Sequence, residues 1–271
     1  MAEHAGGGVV ASGPLRFARY AYPPNALGYC GPDAAAQLLD QATAGADDPD
    51  LRRLLRGFEG AWPYLELIAA ANAIADPLDP RVVEAYWVGN RLLDRVGPRL
   101  MGDSMESRFR GRLAVASWSH LAETVPVGAL PHHAFHVLGV YPWLGLLRGG
   151  YGGPEPLRVM DRCRIRWGLV VATATTSAVV RSRPLTWDGH RLVLGPPVEE
   201  TVVLRLGDRG LAGSVRAGDW CSLHWDWLCE RLDGRQVVEL RRRTLGQLAM
   251  VNRAGTPAGR PVLADRLAST G

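Results

Sequence analysis

Three histidines, His132, His133 and His136, fall within five residues of a chain that has only seven. Neutral imidazole is a common metal ligand. On a helix, His132 and His136 share a face, and that spacing can hold one metal ion. Two imidazoles leave such a site incomplete, so a thiolate or carboxylate must come from elsewhere. Cys30, between glycines in Leu-Gly-Tyr-Cys-Gly-Pro, and Glu66 or Glu84 are the candidates. The structural alternative is that one histidine caps the helix and another packs in the core.

Sulfur chemistry is also open. The four cysteines, Cys30, Cys163, Cys221 and Cys229, form no CxxC pair and are too sparse for a disulfide scaffold. No signal peptide is visible in residues 1–13. The longest apolar stretch, 137–147, contains Pro142 and is too short to span a bilayer. The expectation is a cytoplasmic chain, away from membranes, whose reduced thiols are available as ligands or nucleophiles. A nucleophile elbow, a phosphate-binding loop and a dinucleotide fingerprint are all missing from the sequence. The net charge of +4 comes from 31 basic residues, every one an arginine, against 27 acidic ones. They are scattered, with Arg241, Arg242 and Arg243 the one run of three, so no nucleic-acid partner is expected.

The elements that must position these groups change character midway. Residues 1–13 read as a disordered leader and 14–147 as a helical domain. Helix starts are expected at Gly31-Pro32-Asp33, Asp47-Asp48-Pro49-Asp50, Pro63 and Asp79-Pro80. Weaker helices are expected over 105–109 and 118–124, and a further segment over 132–147, interrupted near Pro142. Pro23-Pro24 argues against a helix over 17–25. The Gly/Pro-rich stretch 148–156 reads as a linker. Beyond it, short β-branched runs at 167–172, 178–182, 201–206 and 220–225 suggest a small barrel. Asp188-Gly189 marks a hairpin within it, and Asp233 starts a last helix. The barrel domain is expected over 157–253 and a flexible tail over 254–271. The aromatic segments near 17–24, 58–64 and 84–90 read as helix packing. In a strand, Trp225 and Trp227 point one way and Asp226 the other. An exposed tryptophan pair would be a partner hot spot, with Asp219 of the preceding turn as a further partner-facing residue.

The segment Gly218-Asp219-Trp220-Cys221-Ser222-Leu223-His224 and the helix after it resemble the signature of the small hydrogenase-assembly chaperones, the HypC/HupF family. Upstream, Cys163-Arg-Ile-Arg-Trp-Gly168-Leu-Val-Val resembles that family's opening Cys-x-x-x-x-Gly-x-Val strand. The resemblance spans roughly residues 160–250. It implies an α+β protein: a helical N-terminal domain followed by a small OB-like β-barrel with a C-terminal helix. It also implies that Cys163 and His224 hold an iron carrying cyanide and carbon monoxide ligands. The partner would be a maturation scaffold protein or the large subunit of a nickel–iron hydrogenase. Thiolate and imidazole suit such iron. The whole chain further resembles an uncharacterised family, in its Tyr-Ala-Tyr-Pro-Pro-Asn…Gly-Tyr-Cys-Gly-Pro and His-x-Phe-His-Val…Tyr-Pro-Trp segments.

The expected function is that of a hydrogenase-maturation accessory protein, an assembly chaperone rather than an enzyme. The alternative is a metal-dependent enzyme with His132, His136 and Cys30 as its site in the helical domain. A third reading is a binding module without metal.

Overall fold

The computed structural model describes residues 12–253 apart from 46 and 112–114. The expected leader and tail lie outside the described residues, except that Ser12 caps the first helix and Gly13 begins it. That helix, α1 (Gly13–Ala26), is buried along most of its length. It is followed by α2 (Ala35–Ala44), α3 (Pro49–Arg56), α4 (Trp62–Ala71) and α5 (Pro80–Trp87). Proline occupies the first turn of α3, α4 and α5, where its missing amide costs no bond, and Asp48 and Asp79 cap their helices. A 3₁₀ turn (Arg91–Arg95) leads to α6 (Pro98–Phe109) and α7 (Val115–Val127).

One local expectation is overturned. Pro23-Pro24 does not exclude a helix: α1 runs through both prolines. They sit in its final turn, so two backbone bonds are lost where the helix is ending, and the carbonyls of Arg19 and Tyr20 are left without an amide from that turn. The stretch 132–147 is interrupted at Tyr141-Pro142, as expected: a short turn, α8 (His133–Phe135), runs into a π-helical turn (His136–Val140), and α9 (Trp143–Arg148) follows the break. Within the Gly/Pro segment 148–156, α10 (Glu155–Cys163) begins, with Pro156 in its first turn.

The β-rich part follows at once. Its strands are β1 (Arg166–Thr173), β2 (Ser177–Ser182), β3 (Leu185–Trp187), β4 (Leu192–Leu194), β5 (Val198–Val203), β6 (Arg205–Leu206), β7 (Arg209–Gly210), β8 (Trp220–His224) and β9 (Trp227–Leu232). Five of them close into a barrel in the order β1-β2-β5-β9-β8, while β3–β4 and β6–β7 are small hairpins between barrel strands. Neighbours in the barrel are antiparallel except β5 and β9, which pair in parallel. The strand β9 forms an antiparallel hairpin with β8 and closes the barrel on β5 through one parallel pair, Val203 with Trp227. The barrel interior holds Val170, Val180, Val202, Cys221, Leu223 and Leu228. The last helix, α11 (Gly234–Arg253), starts with a capping box: Asp233 accepts from the Gln236 amide, and the Gln236 side chain accepts from the Asp233 amide. Among the described residues no helix is long and apolar enough to cross a membrane.

Helices and barrel share one apolar core, in which Phe17, Tyr20 and Trp87 join Trp225, Trp227 and Cys229. A buried polar network crosses the same seam. Arg16 pairs with Glu84 of α5 at 3.1 Å and with Glu230 of β9 at 2.7 Å. The Tyr20 hydroxyl donates to Glu230 and lies 2.8 Å from the Ser222 hydroxyl. Gln236 and Arg235 of α11 close the network on Glu84. Arg16→Ala removes the cation between two buried carboxylates and is expected to cost about 3 kcal/mol. Urea unfolding at neutral pH measures this, and a loss below about 1 kcal/mol would mean that the network does not join the two halves.

Candidate metal centre and its cavity

The Tyr20 carbonyl would bond to the amide of residue 24 in an uninterrupted helix, but residue 24 is proline. That carbonyl is taken instead by His224 at the end of β8, whose Nδ1 lies 2.6 Å away. A carbonyl only accepts, so Nδ1 carries the ring proton. Burial holds the ring neutral, its pKa well below 6.5. Nε2 is therefore a bare lone pair, fully buried and without a partner among the described residues.

His133, the first residue of α8, packs edge-on to His224 with ring centroids 5.1 Å apart. Its Nε2 lies 2.8 Å from the Cys163 carbonyl and its Nδ1 3.2 Å from the Tyr86 hydroxyl. Burial lowers its pKa to about 4. By the same rule Nε2 carries this ring's proton and Nδ1 accepts from the Tyr86 hydroxyl, so a metal at His133 would have to displace one of these two bonds. Cys163 closes α10 beside both rings. Burial pushes its thiol up, and Cys30 adds to the shift while the Trp225 indole opposes it. One ligand atom each from His133, Cys163 and His224 can be chosen so that all lie within 4.8 Å of one another, and all three residues are buried. Two imidazoles and a thiolate suit zinc, iron or copper rather than a hard oxygen-seeking cation. A pKa this high keeps the thiol protonated until a metal displaces the proton.

The centre borders a cavity of about 510 Å³. His133, His136, Cys163 and Cys30 all face it, together with Tyr86 and Tyr141. Cys30 sits on a loop in which Gly28 and Gly31 both adopt left-handed backbone. A β-carbon at Gly31 would lie 2.3 Å from the Phe58 ring, so only glycine fits. Asn25 donates to the carbonyls of Cys30 and Pro32 and so clamps the loop. Burial raises the Cys30 thiol to about 12.

The structure thus brings Cys163 and His224 together across the 61 positions that separate them and adds His133, which helical spacing alone does not single out. The shared face of His132 and His136 does not form. His132 is the extended cap of α8, its Nδ1 accepting from the Ala134 amide, so it precedes the helix rather than standing on it. His132 is absent from the cavity lining, whereas His136 faces the cavity from the π-helical turn. Glu84 belongs to the ion-pair network, and Glu66 accepts from the Trp62 indole at the surface. The exposed tryptophan pair is also overturned. Trp225 lies in the turn after β8 with a φ of 52°, stacked on Tyr29 at 4.4 Å, and Trp227 meets Tyr22 edge-on at 5.2 Å. The chain's own N-terminal segment covers both. Asp219 accepts from the Arg216 amide in the turn before β8. Two sequence signals bear on the centre beyond the expected ligands: the middle histidine of the triplet, and the proline that frees the Tyr20 carbonyl.

A family model described as a family of unknown function, DUF6390, matches residues 9–258. No curated protein and no solved structure matches the chain.

The buried histidines make stability depend on pH. Their folded pKa values lie below the unfolded value of about 6.5. The unfolded state therefore takes up protons first as pH falls. Stability is full above about pH 6.5 and declines toward the folded values, by about 2 kcal/mol per histidine at about pH 5. Thermal unfolding of chelator-treated protein between pH 7.5 and about 5 tests this, with His133→Gln expected to flatten the slope. A flat profile in the native chain would mean that the rings are not neutral and buried.

Proposed function

The chain belongs to this family of unknown function, and from that premise we propose that it is an accessory protein of nickel–iron hydrogenase maturation. In this reading it receives an iron carrying cyanide and carbon monoxide ligands as cargo and passes it on. Its partners are a maturation scaffold protein or a hydrogenase large subunit. The observation that carries the proposal is the meeting of Cys163, His224 and His133. The first two are the pair that the resemblance to hydrogenase-assembly chaperones singles out, although they lie far apart in sequence.

The barrel supports the same reading. Its strands run in the order first, second, third, fifth, fourth, with the third and fifth parallel, as in the OB-like barrel that the resemblance implies. The chemistry of the donors fits the cargo. A thiolate donates strongly to iron, and the His224 imidazole offers a lone pair already oriented by the Tyr20 carbonyl. Burial of all three residues keeps the groups neutral until a metal arrives.

Cys30 and His136 on the same cavity give the second reading some support. In that reading the chain is a metalloenzyme whose site extends across the cavity, without the His132 ligand. Protein purified anaerobically from a host expressing hydrogenase-assembly genes separates the two by elemental analysis and infrared spectroscopy. Iron with cyanide and carbonyl bands is expected, lost in Cys163→Ala and reduced at least about tenfold in His224→Gln. Zinc or iron without those bands, lost in His136→Ala or Cys30→Ala, would move the assignment to a metalloenzyme. Finding no metal under these conditions would overturn both.

A further inference from the structure

The cavity beside the metal centre is larger than a metal and its small ligands need. Its volume of about 510 Å³ falls in the range of sites for small organic molecules. Its lining is unusual for this chain. Charged residues make up 21% of the sequence, yet among the described residues no Arg, Asp or Glu faces the cavity. Phe58, Trp87, Trp143 and Tyr29 supply aromatic surface.

One corner is polar. The Arg108 guanidinium sits over the Tyr64 ring, 4.1 Å from its centre, and donates to the Gly60 carbonyl. The Tyr64 hydroxyl donates to the Met105 sulfur and lies 3.4 Å from Nδ1 of His136. Nε2 of the same ring is buried and has no partner among the described residues. Beside it stands Tyr141, its ring 4.5 Å from that of His136. Both groups converge on Gly60: a β-carbon there would lie 3.0 Å from His136 Nε2 and 3.9 Å from the Tyr141 hydroxyl. A buried polar atom without a partner is costly to leave unmet, and an isolated charge in so apolar a cavity is costlier still.

We infer that this cavity is a binding site for an uncharged small molecule, with an apolar, partly aromatic body and one hydrogen-bonding group held by His136 Nε2 and the Tyr141 hydroxyl. The site needs no metal and stands whether or not the maturation reading does. Gly60 keeps the corner open.

The test uses the full chain, treated with chelator, and three probes of similar shape: benzamide, neutral with an acceptor; benzoate, charged; and toluene, with neither. Binding is followed by tryptophan fluorescence and calorimetric titration. Benzamide is expected to bind saturably, with benzoate at least about tenfold weaker. His136→Phe should weaken benzamide by about tenfold and leave toluene unchanged. Gly60→Ala, whose methyl group enters the polar corner while His136 stays, should weaken benzamide similarly, and it serves if His136→Phe does not fold. The chelator-treated chain carries no metal, so benzamide binding is read independently of the metal centre. Benzoate binding as tightly as benzamide, benzamide affinity unmoved by either variant, or no saturable benzamide binding would each overturn the inference.

Discussion

Proline at position 24 withholds an amide from the Tyr20 carbonyl, and the imidazole of His224 takes the vacant place. A helix that lacked this proline would satisfy the carbonyl internally and leave His224 free to turn. With it, the ring of a barrel residue is tied to the backbone of the first helix. The tie fixes which nitrogen carries the proton, and so which nitrogen faces Cys163 and His133. The seam between helices and barrel is built around this contact, with the Arg16, Glu84 and Glu230 network on one flank and stacked Tyr20 and Trp87 on another.

The centre therefore belongs to neither half alone. Cys163 ends the helix that enters the barrel, His224 ends a barrel strand, and His133 starts a short turn among the helices. Each is buried, and that burial holds each in its uncharged form. Such a site is stable when empty only while its groups remain neutral, and a metal that takes the thiol proton converts a desolvation cost into ligation. The neighbouring cavity obeys the same rule, with a lining free of Arg, Asp and Glu and with His136 Nε2 left without a partner among the described residues.

Where local rules fail, the cause is tertiary. Pro23 and Pro24 are poor helix residues taken singly, but Phe17, Tyr20 and Tyr22 bury so much surface that α1 continues to its end around them. His132 and His136 are four apart, yet their helical relation needs the helix to begin before His132, and it begins after it. Trp225 and Trp227 look like a docking surface because a hairpin taken alone exposes them. In the folded chain Tyr29 and Tyr22 of the N-terminal segment cover them.

By itself the sequence determined the local elements whose causes are local. Proline and aspartate at helix starts, β-branched runs after residue 164, the Asp188-Gly189 hairpin and the capping box at Asp233 are all legible from neighbours in the chain. It also marked Cys163, His224, Cys30 and the histidine triplet as the residues with chemistry to offer. Only the tertiary structure decided which of them meet. Closure of the barrel brings β8 against β1 and β9, the shared core carries α1 and α8 onto that edge, and His133 rather than His132 arrives beside Cys163. Those distances are set by packing between residues as far apart as Tyr20 and His224, and no periodicity within a local window encodes them.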